Sequence, residues 1–266
     1  MPSPFLTALS QRWATLLERL HDPVCRECGV AMTPSGFQEA YQVYCDACLR
    51  SWGFSSQGVS TPDSNIVALC QLTAPLKKLI YGHKFYGGQQ AYRSLYRLWL
   101  QGESVLNGVL ACGDVVNQNN SGPVWVVSIP SRYRQESDEP STVYRPLERL
   151  VASVCRGWSS SRLNRSVEYM GPAALEWQRD TWLQHRLTLR KERLANMHQA
   201  LVINDALWQQ RLTSQGPPSA IVVLDDLVTT GATAQAALKA VELWCQAHNL
   251  SRIPQKMLAL AYVPLE

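Results

Sequence analysis

Ile221–Thr233 (IVVLDDLVTTGAT) joins a strand-like apolar run, an acidic pair and a threonine–glycine turn in one continuous segment. Ile221–Leu224 is a short, β-branched apolar run of the kind that forms a strand buried on both faces. Asp225 and Asp226 follow at its carboxyl end, the edge where open α/β sheets bind ligands. Thr229, Thr230, Gly231, Ala232 and Thr233 then turn into a helix expected over Ala232–Ala247. Small and hydroxyl side chains there let backbone N–H groups converge on a phosphate, helped by the helix dipole. Gly231 permits a close approach or an unusual dihedral. The two carboxylates are unsuited to phosphate and suited to vicinal sugar hydroxyls, one acceptor for each. A strand, an Asx-type turn and a capped helix without ligand is the plainer alternative, and the full thirteen-residue constellation disfavours it.

Similar signals recur along the chain. Val124–Ile129 (VWVVSI) is a second buried-strand pattern, stopped by Pro130, and Met257–Val263 (MLALAYV) is a third. Ser141–Arg156 and Leu175–His198 read as helices. Ser159–Pro172 and Gln209–Ser219 read as connections. Apolar strands separated by helices predict an α/β domain, a parallel sheet flanked by helices. Gly53–Ser64 (GFSSQGVSTPDS) reads as a linker, which gives a domain over residues 65–266.

Ahead of that linker, Cys25-Arg-Glu-Cys28 and Cys45-Asp-Ala-Cys48 are two knuckles separated by 16 residues. Together they predict a four-sulfur zinc site, with redox motifs or unliganded cysteines as the alternatives. Four cysteines leave no open position for a catalytic water, so the zinc is expected to be structural. A small zinc-ribbon-like module over residues 23–58 buries too little apolar surface to hold itself together without a staple. Cys70, Cys112, Cys155 and Cys245 are expected to be small buried hydrophobes. Residues 1–22 form an amphipathic-helix pattern, with Phe5, Leu6, Leu9, Trp13, Leu16, Leu17 and Leu20 on one face.

Composition bounds the function. Of 266 residues 46% are hydrophobic, enough for a sizeable core, and no run approaches a membrane span. The N-terminus lacks a signal-peptide pattern, so a cytoplasmic protein is expected. Residues 121–200 hold 11 Arg and one Lys against eight acidic residues, an anion-friendly bias that is also compatible with a solvated face. Lys84, in what reads as a Gly-flanked loop, and Arg132 and Arg134, after a strand end, are candidate phosphate or pyrophosphate contacts.

Ile221–Thr233 matches, position by position, the phosphoribosyl pyrophosphate (PRPP) motif of type I phosphoribosyltransferases. With the four-cysteine module, the chain resembles the ComF family of competence protein F and GntX-like proteins. Lys77–Gly87 (KKLIYGHKFYG) resembles that family's segment ending H-x-x-K-F-x-G, and Val124–Pro130 resembles its V-P-V-P strand end. Arg193 and Asn196 are spaced as in its R-x-x-N segment. The resemblance implies that Asp225 and Asp226 hold ribose hydroxyls and that Thr229–Thr233 hold the 5-phosphate. It implies Mg²⁺ with PRPP, bridging pyrophosphate and ribose oxygens, and a loop after Ile129 facing the pyrophosphate. It also implies a role in natural transformation: DNA uptake, with single-stranded DNA and competence-machinery proteins as partners. The family's R-G-F-N-Q is replaced around Ser141–Pro146 (STVYRP), where only an arginine survives. Binding is therefore better founded than turnover. The alternatives are an active phosphoribosyltransferase releasing pyrophosphate and a zinc-stabilised interaction module with a vestigial pocket.

Overall fold

The computed structural model describes residue 25 and residues 45–86, 88–111, 122–130, 146–159, 166–178 and 190–263. The amphipathic pattern of residues 1–22, together with Cys28, Cys112, Arg132, Arg134, Trp182 and the arginines at 145, 179 and 186, lies outside the described residues. The chain divides into two compact units, Met1–Ser51 and Trp52–Glu266.

In the first unit, α1 (Asp46–Ser51) starts directly after Cys45. Its opening turn is closed by the Leu49 amide on the Cys45 carbonyl at 3.0 Å. At its end the Ser51 hydroxyl donates to the Cys48 carbonyl at 2.7 Å.

The second unit is a mixed α/β fold. Its six-stranded sheet has the order β1-β2-β8-β7-β3-β4. The strands are β1 (Phe54–Ser60), β2 (Ile66–Gln71), β3 (Val124–Ser128), β4 (Val167–Tyr169), β7 (Ala220–Val228) and β8 (Gln255–Tyr262). All neighbours are parallel except β1, which runs antiparallel to β2. Central strands of such a sheet are covered on both faces, and β3 accordingly has all five residues buried. A separate antiparallel pair joins β5 (Leu175–Trp177) to β6 (Leu201–Ile203). The flanking helices are α2 (Ala74–Tyr86), α3 (Gln89–Gln101), α4 (Glu103–Ala111), α5 (Pro146–Ser159), α6 (Arg190–Met197), α7 (Asp205–Gln215) and α8 (Ala232–Ala247).

Sequence periodicity explains α8 well. It is rich in alanine, the strongest helix former, and buries Ala234, Ala237, Val241, Trp244 and Cys245 along one stripe. Trp244 meets Trp208 of α7 edge-on at 4.8 Å between ring centroids, and Trp208 meets Trp125 of β3 at 5.7 Å. Trp208 is fully buried, and its indole N–H donates to the Ala174 carbonyl at 2.9 Å. Trp208→Ala is expected to cost about 3–5 kcal/mol of unfolding free energy, read by urea denaturation. A loss under about 1 kcal/mol would mean that this cluster does not anchor α7. Cys70, Cys155 and Cys245 are buried as expected. Burial pushes the Cys155 thiol up to about 12 and that of Cys245 to about 11.

Four expectations are corrected. Gly53–Ser64 is not a linker, because Phe54–Ser60 is the edge strand β1 of the main sheet. Its glycine content has a packing cause. At Gly58 φ is +78°, and an added Cβ would come within 2.6 Å of Val67 on the paired strand. The β1–β2 register shifts between Phe54 and Val59, as at a bulge. Leu175–His198 is not one helix, since Leu175–Trp177 is β5 and the described helix is Arg190–Met197. Residues 209–215 are helical rather than connecting, in a helix capped by the Asn204 side chain on the Leu207 amide at 3.2 Å. Within Ser159–Pro172, Val167–Tyr169 is a strand parallel to β3.

Candidate functional site

Parallel pairing places the carboxyl ends of β2, β8, β7 and β3 along one edge of the sheet. The loop leaving β7 is therefore at the edge where the acidic pair was expected to work. β7 runs on to Val228, so Asp225 and Asp226 sit within its last turns of pleat rather than beyond it. Asp225 pairs with Ala259 in the ladder, and the Val263 amide donates to the Val228 carbonyl at 2.9 Å. The β8 ladder thus fixes the backbone that carries the two carboxylates, while β3 pairs with β7 only as far as Leu224.

Thr229 and Thr230 bridge β7 to α8. Gly231 is the helix N-cap, with φ 76° and ψ 2°, a left-handed conformation that costs other L-residues about 1–2 kcal/mol. Its carbonyl accepts from the Gln235 amide at 2.8 Å, and the Thr230 hydroxyl accepts from the Ala232 amide at 3.4 Å. The Thr233 and Ala234 amides follow in the first turn, where a helix leaves its N–H groups without internal partners. Such a terminus favours an anion.

The carboxylates differ sharply in environment. Asp225 is buried, and its Oδ1 accepts from the Asp226 amide at 2.8 Å. Burial, and then the neighbouring Asp226 charge, hold its carboxyl well above the ordinary carboxylate value, against the pull of Lys84 and the Asp226 amide. Asp226 Oδ2 is bound by the Lys84 ammonium at 2.8 Å. Burial pulls the Lys84 ammonium down, but Asp226 and Asp225 outweigh it, so its pKa lies above the usual lysine value.

Asp225 has a measurable cost. Between its ordinary value and its raised one, the folded chain holds a proton that the unfolded chain has released, so stability falls as pH rises through that window. Asp225→Asn is expected to melt above wild type on the alkaline side of the window, with the gap closing as pH falls to about 4. Parallel melting-temperature profiles for the two proteins would contradict the burial of a titrating carboxyl.

Lys84 is not in a loop: it lies in the last turn of α2. The helical period was masked by Gly82, yet Leu76, Ile80 and His83 form one buried face. His83 points into that packing, with its ring 5.4 Å from Tyr92. The structure also adds Arg193 of α6 to the loop, its Nη1 lying 3.4 Å from Thr229 Oγ1. The R-x-x-N spacing was the available signal for that residue. At the end of β3, the Trp177 indole N–H donates to the Pro130 carbonyl at 3.0 Å, fixing where the chain leaves the strand.

In the first unit, the Sγ atoms of Cys25, Cys45 and Cys48 all lie within 4.8 Å of one another, a grouping that can hold a metal ion. Thiolates around one zinc ion sit about 3.8 Å apart, given Zn–S bonds near 2.3 Å. The donor set fits.

Comparison of the chain with known protein families and with curated proteins finds no match. No helix among the described residues is long and apolar enough to cross a membrane.

Proposed function

We propose that this chain binds a ribose 5-phosphate group, carried by PRPP or by a phosphorylated nucleoside, at the carboxyl end of β7. The observation behind this reading is that one continuous segment supplies both halves of the ligand's chemistry. Two carboxylates stand on a rigid strand, and a left-handed glycine opens a helix N-terminus a few residues later. The amides of that first turn would take the phosphate, with Arg193 beside them. Asp225 and Asp226 would accept from the ribose hydroxyls. The type I phosphoribosyltransferase topology belongs to this reading, as does a structural zinc on Cys25, Cys28, Cys45 and Cys48.

On its resemblance to ComF proteins, we place the chain in natural transformation, handling single-stranded DNA in the cytoplasm. Binding, rather than transfer, is the proposed activity. The departures from the family pattern fall on the pyrophosphate side, around Ser141–Pro146.

Calorimetric titration with ribose 5-phosphate and with PRPP, both in Mg²⁺ buffer, tests the binding claim. Saturable heat with each ligand is expected. Folded, metal-loaded protein giving no heat with either would leave only an interaction module with a vestigial pocket. Release of pyrophosphate on adding a base or amine would add catalysis to binding. Unchanged transformation after gene deletion in a competent host would remove the biological role.

A further inference from the structure

The resemblance brings Mg²⁺ to this site on the pyrophosphate and ribose oxygens of PRPP, and the acidic pair beside them is a poor fit for the ion. Mg²⁺ demands near-ideal octahedral oxygen geometry and leans on one or two available carboxylates. Here Asp226 Oδ2 is bound to the Lys84 ammonium at 2.8 Å, and Asp225 is buried with Oδ1 on the Asp226 amide. One positive charge beside the acidic pair is already supplied by the chain itself.

We propose that Lys84 is the built-in counter-cation of the acidic pair, so that a ribose 5-phosphate group binds this protein without a divalent metal. The inference rests on the ribose-phosphate reading of the site. Its basis is geometric. Lys84 comes from α2, 142 residues away in sequence, and reaches across to one carboxylate oxygen. α2 (APLKKLIYGHKFY) contains no Asp or Glu, so no carboxylate on its own helix competes for the ammonium. Asp226 keeps only 14% of its side chain exposed and Lys84 keeps 43%, so the pair is partly shielded from water and not a mobile surface contact.

Two carboxylates beside a phosphate dianion would otherwise repel the ligand. Lys84 removes one of those negative charges. By holding Oδ2, it also fixes the rotamer of Asp226 and leaves Oδ1 to accept from a sugar hydroxyl. Lys84 is thus a positioning residue, acting on the ligand through Asp226. A lysine reserved for pyrophosphate would behave differently, because it would matter to PRPP and be irrelevant to ribose 5-phosphate.

The test is calorimetric titration of both ligands in buffer freed of metal by chelating resin, with and without added Mg²⁺; soluble chelators are avoided because they could strip the cysteine cluster. Wild type is expected to bind ribose 5-phosphate about equally with and without Mg²⁺. Lys84→Met is expected to weaken ribose 5-phosphate binding about tenfold or more in metal-free buffer and to recover with added Mg²⁺. Lys84→Arg, which keeps the charge, is expected to stay close to wild type, and unchanged melting of each variant excludes a folding defect. Wild type that binds only with Mg²⁺, or Lys84→Met that matches it without metal, would overturn the proposal. So would Lys84→Met weakening PRPP alone, which would make Lys84 a pyrophosphate contact. No binding of either ligand by wild type in either buffer would instead sink the ribose-phosphate reading, and this inference with it.

Discussion

Replacing Asp225 and Asp226 together with alanine is expected to weaken ribose 5-phosphate binding by at least about 100-fold, because each carboxylate hydrogen bond to a hydroxyl is worth about 1.5–3 kcal/mol. The change should not unfold the chain. Both residues lie in a strand held by β8, with β3 pairing to its first half, and those ladder bonds use only backbone groups. Alanine also removes the buried carboxyl whose ionisation opposes folding. Loss of the pair strands the Lys84 ammonium, but that side chain is 43% exposed and can turn to water. Calorimetry beside a melting curve separates the two effects. Equal affinity in wild type and double variant would show that the acids are not the hydroxyl acceptors.

Cys45→Ser is expected to abolish metal binding. A structural zinc in a small module supplies about 10–16 kcal/mol of apparent binding free energy, so this module's folding should depend on it. The three described sulfurs already converge, and Cys28 is the sequence's candidate for the fourth position. Cys45 also precedes α1, whose first amide bond closes on its carbonyl, so metal and helix share one anchor. Elemental analysis should find about one zinc per wild-type chain and almost none in the variant. Proteolysis within the first unit should accelerate in parallel. Cys245→Ser, at a buried thiol of α8, is the control that keeps its metal. Full metal content in Cys45→Ser would refute the cluster.

The sequence carried the β7–loop–α8 segment almost completely, because each local signal agreed with the next. An apolar β-branched run, two acids, a threonine–glycine turn and an alanine-rich helix all favour the same conformation. β1 was hidden because Gly58, which permits close strand approach, and the serines around it together mimic a linker. β5 was hidden because three residues are too few for a period to show, and Leu-Glu-Trp suits helix and strand equally. The site suffered from a different limit. Lys84 and Arg193 reach the acidic loop through tertiary packing, 142 and 36 residues away, and no local pattern encodes such a meeting. The family-like segments around Lys84 and Arg193 marked both residues; only the folded chain pairs one with Asp226 and the other with Thr229.

A crystal structure of the protein soaked with ribose 5-phosphate would show directly where the ligand sits. The prediction is phosphate density against the backbone amides at the start of α8, with the ribose hydroxyls within hydrogen-bonding distance of Asp225 and Asp226. Density for the ligand elsewhere, with the β7–α8 loop empty at saturating concentration, would contradict it.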